Sequence, residues 1–97
     1  MTKQLNVIAH ITPHPEYLDA ARRAIVEIIE PTRAEPGCIT FRLSEDTENG
    51  TLHLYEEWRD DEALAAHHEQ AYTQGVFEAY KSWLAEDPQI LHLRPVG

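Results

Sequence analysis

An α+β sandwich is the fold class the sequence predicts, and three observations predict it. Four segments alternate apolar and polar residues with a period of two, three others repeat apolar residues every three or four positions, and their order is β-α-β-β-α-α-β. Two βαβ-like halves in that order share one four-stranded antiparallel sheet with its helices on one face, which is the ferredoxin-like arrangement.

Each element has its own grounds. Leu5, Val7, Ala9 and Ile11 alternate with Asn6, Ile8, His10 and Thr12, a strand with one strongly apolar face. From Pro15 the period changes. Leu18, Ala21, Ile25, Ile28, Ile29 and Thr32 fall on one side of a long amphipathic helix, with Pro15 suited to its first turn. Pro31 is expected to kink or end the last turns, and Glu35-Pro36-Gly37 to stop the helix. Cys38–Leu43 and Thr51–Trp58 then form a hairpin, for which Asn49-Gly50 supplies positive-φ residues. Asp60 is positioned to cap a short helix through Ala63, Leu64 and Ala66. Thr73 is positioned to cap another through Val76, Phe77, Tyr80, Trp83 and Leu84, closed by Asp87-Pro88. The tail QILHLR alternates again, with Leu91 and Leu93 on one face.

Residues 1–97 read as a single domain without repeat, linker or low-complexity segment. Eight Lys and Arg against 17 Asp and Glu give a net charge of −9, and the few cations are scattered, so nucleic acid is not an expected partner. No apolar run approaches the ~18 to 20 residues of a membrane span, and MTKQLNVIAH lacks the apolar stretch of a signal peptide. A cytoplasmic location is the expectation, and the lone Cys38 suits a reducing compartment. A domain this small buries only about two-thirds of its unfolded surface. The sheet face left bare by the helices, with Ile8, His53 and Tyr55, is therefore the natural place for a second subunit's sheet.

Arg33-Ala34-Glu35-Pro36-Gly37-Cys38, Tyr55-Glu56-Glu57-Trp58-Arg59-Asp60 and Ala63-Leu64-Ala65-Ala66-His67, followed by Val76-Phe77 and the closing strand, resemble the antibiotic biosynthesis monooxygenase family, which includes a bacterial quinol monooxygenase. The resemblance covers essentially the whole chain. It implies a dimeric α/β barrel with a pocket between sheet and helices in each subunit. Several members oxidise quinols, anthrones or other electron-rich aromatics with O₂ and without metal, flavin or other prosthetic group. Relatives degrade haem or isomerise small molecules.

Carried onto this chain, the resemblance marks Trp58 as a pocket tryptophan able to stack on a flat substrate and offer an N–H donor. Its ordinary reading is a packing anchor. Two other polar pocket positions of the anthrone oxidisers fall on Leu54 and Leu64. His67 falls where members often carry histidine, and such a group can take a phenolic proton, since a phenolate gives an electron to O₂ far more readily than a phenol. His68 is about 100° away around a helix and is not expected to share the cavity. The haem ligand of the haem degraders falls at about Tyr80, so a haem role is not expected. Phe77, Tyr80 and Trp83 have the spacing of a packing stripe, with the Tyr80 hydroxyl able to meet a ligand. Asn6 matches a polar strand-one residue of the haem degraders, subject to strand register.

Arg42 and Glu56 read as a solvent-facing or interface pair, and Cys38 as a small buried hydrophobe without an activating base. The six histidines show no zinc spacing, and there is no phosphate-binding glycine loop. The leading expectation is a cofactor-independent monooxygenase, with His67 as base and Trp58, Phe77, Tyr80 and Asn6 binding a small aromatic substrate, acting with O₂ as a homodimer through the sheet face. The competing readings are a non-catalytic dimeric ligand-binding or stress-response module and an isomerase of a small metabolite. Convergent polar groups around His67 would favour the isomerase.

Overall fold

Residues 3–97 are described by the computed structural model of the chain. Met1 and Thr2, the start of the segment read above for a signal peptide, lie outside the described residues. The elements are β1 (Leu5–Ile11), a single 3₁₀ turn (Pro15–Tyr17), α1 (Leu18–Arg33), β2 (Cys38–Asp46), β3 (Thr51–Trp58), α2 (Asp61–Glu69), α3 (Ala71–Trp83) and β4 (Gln89–Leu93). The strands pair antiparallel in the order β2-β3-β1-β4. This is the ferredoxin-like fold that the element order predicts.

Strand alternation decides what faces the helices. Leu5, Val7, Ala9 and Ile11 of β1 and Leu52, Leu54, Glu56 and Trp58 of β3 are all buried there. Phe41 of β2 joins them, because it pairs with Glu56. Ala21, Ile25, Ile28 and Thr32 form the matching stripe of α1. Trp58, Phe41, Ile11, Ile25 and Leu52 are the largest wholly buried side chains, and each such burial contributes about 1.5–3 kcal/mol.

The opposite face carries Asn6, Ile8 and His10 of β1, His53, Tyr55 and Glu57 of β3, and Leu91 and Leu93 of β4, as the pairs Ile8↔Tyr55, Ile8↔Leu91 and Asn6↔Leu93 require. No helix covers it: Tyr55, Leu91 and Leu93 are 37%, 48% and 41% exposed.

Four details differ from the sequence expectation. The helix does not stop at Pro31 but carries it to Arg33; the proline sits close to the helix end, and the Arg33 guanidinium fixes the last turn by donating to the Phe41 carbonyl at 2.8 Å. Pro15 opens a 3₁₀ turn that precedes α1. Strand β2 runs on to Asp46, whose carboxylate accepts from the Glu48 and Asn49 amides and builds the reversal that Gly50 completes with φ 67°. Thr73 is not a cap. Gln70 precedes α3, and Thr73 lies inside the helix, buried. The Asp60 cap of α2 is as expected, accepting from the Ala63 amide at 2.8 Å.

Two contacts place the helices over the sheet. The His14 amide donates to the Trp83 carbonyl and the Ala85 amide to that of Thr12, both at 2.8 Å, so the end of α3 is tied to the end of β1. At Gly37 a Cβ would stand 2.2 Å from the Ala63 Cβ, so only glycine lets the α1–β2 turn press against α2. That close approach brings Glu35 within reach of α2 and α3.

Candidate functional site

Between the sheet and the helices lies a small cavity of about 60 Å³, partly open to solvent. Val7, Ala9, Leu54, Ile25, Ile28, Leu64 and Val76 make most of its wall, and Ile90, Pro88 and Phe77 surround the opening. Its polar wall is short: Glu56, His67, His68, Thr73, Tyr80 and His92. No Lys or Arg lines it.

His67 projects from the last turn of α2 and is 4% exposed. Its Nδ1 stands 2.9 Å from Oε2 of Glu35, and the same carboxylate oxygen accepts from the Tyr72 hydroxyl. Thr73 Oγ1 lies 3.4 Å from that Nδ1. With a carboxylate as its partner, Nδ1 is the ring nitrogen that carries a proton, and Nε2 is the one turned away from Glu35. The ring is held on two further sides. It stacks at 4.8 Å and 34° on the Trp58 indole and meets the Phe41 ring edge-on at 5.6 Å. Burial, followed by the bond and charge of Glu35, pushes the Tyr72 hydroxyl up to about 12, so Tyr72 stays a donor.

Glu56 is the second buried group, 6% exposed. Its Oε1 accepts the Trp58 indole N–H at 2.9 Å. Loss of water around the carboxyl pushes its pKa from the ordinary 4.5 up to about 7; the indole bond opposes this, and repulsion from Glu35 adds to it. Burial, and then the charge of Glu56, raises the Tyr80 hydroxyl, which therefore remains protonated as a donor. Cys38 is pushed up to about 11 by burial and by Glu35 and Glu56, far from the thiolate that nucleophilic chemistry needs.

The expected site residues divide. His67, Phe77 and Tyr80 line one cavity. Trp58 is wholly buried behind it, donating to Glu56 and stacking on His67, so its indole is a floor for the two polar groups and offers no face to the cavity. Asn6 does not reach it. The β1 register places Asn6 on the open sheet face, with its Oδ1 accepting from Gln4, so the match to a strand-one pocket residue is corrected by that register. His68 does reach the cavity: it closes the rim edge-on to Phe77 at 5.4 Å, because the cavity wraps around the α2 end. Half-burial, and then His67 and His92, lower its pKa. Arg42 and Glu56 are not a pair, since Arg42 is opposite Tyr55 on the other face.

Sequence reasoning missed Glu35, Thr73 and the burial of Glu56. For Glu56 the signal was present, because a strand that turns Leu52, Leu54 and Trp58 to one side turns Glu56 there too.

A ferredoxin-like sheet whose helices enclose a cavity with a buried histidine and carboxyl defines a class of small α+β domains. Within that class the chain belongs to the antibiotic biosynthesis monooxygenase family, whose model matches residues 5–85. It is 40% identical over 67 residues to the Mycobacterium tuberculosis protein named "Putative monooxygenase Rv0793", a match spanning 69% of this chain and 66% of that protein. The matched segment is thus just under two-thirds of that protein's length. The solved structure of Rv0793 superposes with a TM-score of 0.92, covering 97% of this chain and 96% of that one at 30% identity. PA3566 from Pseudomonas aeruginosa superposes equally well, with a TM-score of 0.92 at 28% identity and coverage of 100% and 98%. No helix among the described residues is long and apolar enough to cross a membrane.

Proposed function

We propose that the protein is a cofactor-independent monooxygenase that oxidises a small, uncharged, quinol-like aromatic with O₂ in the cavity, working as a cytoplasmic homodimer. One observation carries the reading. A buried imidazole, fixed at Nδ1 by a carboxylate, stands in the wall of a mainly apolar cavity whose other polar groups are Glu56, His68, Thr73, Tyr80 and His92. Such a group takes a phenolic proton, and the Glu35 carboxylate offsets the charge it gains. The phenolate then reduces O₂, and the protein's share is desolvation, positioning and proton removal. The absence of Lys and Arg from the wall fits an uncharged substrate.

The homodimer would bury the exposed Tyr55, Leu91 and Leu93 of the open sheet face. The half-buried free thiol of Cys38 suits a reducing cytoplasm. Glu56 and His67 in one cavity also favour a second reading, a proton-transfer isomerase, which would turn over without O₂. The deciding experiment is oxygen consumption by metal- and flavin-free protein with a panel of reduced quinols and anthrones, above autoxidation. Uptake lost in His67→Ala supports the monooxygenase, and no uptake from any member overturns it.

A further inference from the structure

Proton removal by His67 leaves Glu56 without a task in the reaction. Its structural task, accepting the Trp58 N–H, would be met equally by a glutamine without the cost of a buried acid. Only Oε1 is engaged. Oε2 has no hydrogen bond among the described residues and is not sealed in, and Glu56 forms part of the cavity wall. The Trp58 indole holds Glu56 at its N–H and His67 on its face, so two acid–base groups flank one floor. The titratable groups around Glu56 are Glu35 after α1, Cys38 of β2, His67 of α2 and Tyr80 of α3, with no Lys or Arg in the cavity wall.

We propose that Glu56 is the second catalytic residue: its carboxylic acid protonates the peroxide formed on the substrate ring, and its carboxylate then removes the proton from that ring carbon. The assignment rests on the monooxygenase reading above. His67 first takes the hydroxyl proton, and the phenolate passes one electron to O₂. Phenoxyl and superoxide couple, forming a C–O bond at a hydrogen-bearing ring carbon conjugated with the oxygen. Glu56 protonates the terminal oxygen of this peroxide. The Glu56 carboxylate then accepts the proton from the tetrahedral carbon, the C–H electron pair becomes the C=O bond, and the O–O bond breaks. The departing hydroxide takes the proton held by His67, leaving water, a ring oxidised to a quinone, and both side chains as they began. One O₂ supplies one oxygen to the product and one to water.

Without the acid, the semiquinone and superoxide are expected to separate before the adduct is trapped. A hydroquinone then yields its parent quinone and H₂O₂ instead of the hydroxylated quinone and water. The test measures that partition with 1,4-dihydroxynaphthalene under ¹⁸O₂, as labelled hydroxyquinone against H₂O₂, for wild type, Glu56→Gln, Glu56→Asp and His67→Gln. Glu56→Gln is expected to shift the ratio toward H₂O₂ by at least roughly tenfold, in line with the usual effect of losing a general acid. Glu56→Asp keeps the acid one methylene farther back and is expected to fall between. A purely structural role would lower both products together and leave the ratio unchanged, which would overturn the assignment while the monooxygenase reading stands. If wild type itself makes no labelled product while His67→Gln behaves the same, the reading and the assignment fall together. Should Glu56→Gln fail to fold, Glu56→Asp decides by the same ratio.

Discussion

Replacing Glu56 with glutamine makes a prediction that depends only on its burial. In the unfolded chain the carboxyl ionises near 4.5, while in the fold desolvation holds it up to about 7. For an acid raised in this way the sign is fixed: its contribution to stability is fully present below the unfolded value and is lost as pH rises through the folded one. At full ionisation, the gap between 4.5 and about 7 corresponds to ~3 kcal/mol favouring the unfolded chain.

Glutamine keeps an oxygen for the Trp58 N–H, does not ionise, and relieves the repulsion from Glu35. The stability of Glu56→Gln relative to wild type is therefore expected to improve by ~2 kcal/mol between about pH 5.5 and about pH 8.5, the part of the linkage falling in that window. Urea unfolding at fixed protein concentration across the window reads it directly. A difference between the two proteins that does not change with pH would refute the reasoning, since it would mean that Glu56 is ionised and well solvated in the fold.

Three further outcomes follow from other parts of the molecule. Gly37→Ala forces a Cβ to within 2.2 Å of Ala63, so urea unfolding is expected to show a loss of about 1–3 kcal/mol, the usual cost of overpacking. Glu35→Gln keeps an acceptor for His67 Nδ1 but removes the charge, a difference of about 1 kcal/mol, so the initial rate of quinol-dependent O₂ uptake is expected to fall roughly fivefold at saturating quinol. A carboxylated quinol is expected to bind at least roughly tenfold more weakly than its uncharged parent in a tryptophan-fluorescence titration, because no cation lines the cavity and a carboxyl already does.

The fold was legible because period-two and helical segments alternate cleanly, and because Gly50, the one positive-φ residue of its turn, and Asp60 carry clear turn and cap chemistry; Asn49, expected to share the positive φ, does not, and its amide donates to Asp46 instead. Helix ends were less so. Tertiary contacts carry α1 past Pro31, and Gln70 rather than Thr73 precedes α3. In the site, His67, Phe77 and Tyr80 were legible from spacing and resemblance together. Asn6 was misplaced because the resemblance was followed against the strand's own alternation: Leu5, Val7, Ala9 and Ile11 turn to the helices, so Asn6 turns to the open face. Glu35 was illegible for another reason: it lies 32 residues from His67, and only the fit of Gly37 against Ala63 brings them together.

In the proposed function, His67 starts an oxygen-incorporating reaction in this cavity. The measurement that tests it most directly is ¹⁸O₂ labelling of the product from a quinol panel, with wild type and His67→Gln compared above the autoxidation background. One labelled oxygen per product molecule with wild type, and none above background with His67→Gln, is the predicted result. Equal labelling by both proteins, or no enzyme-dependent label from any quinol, would contradict it.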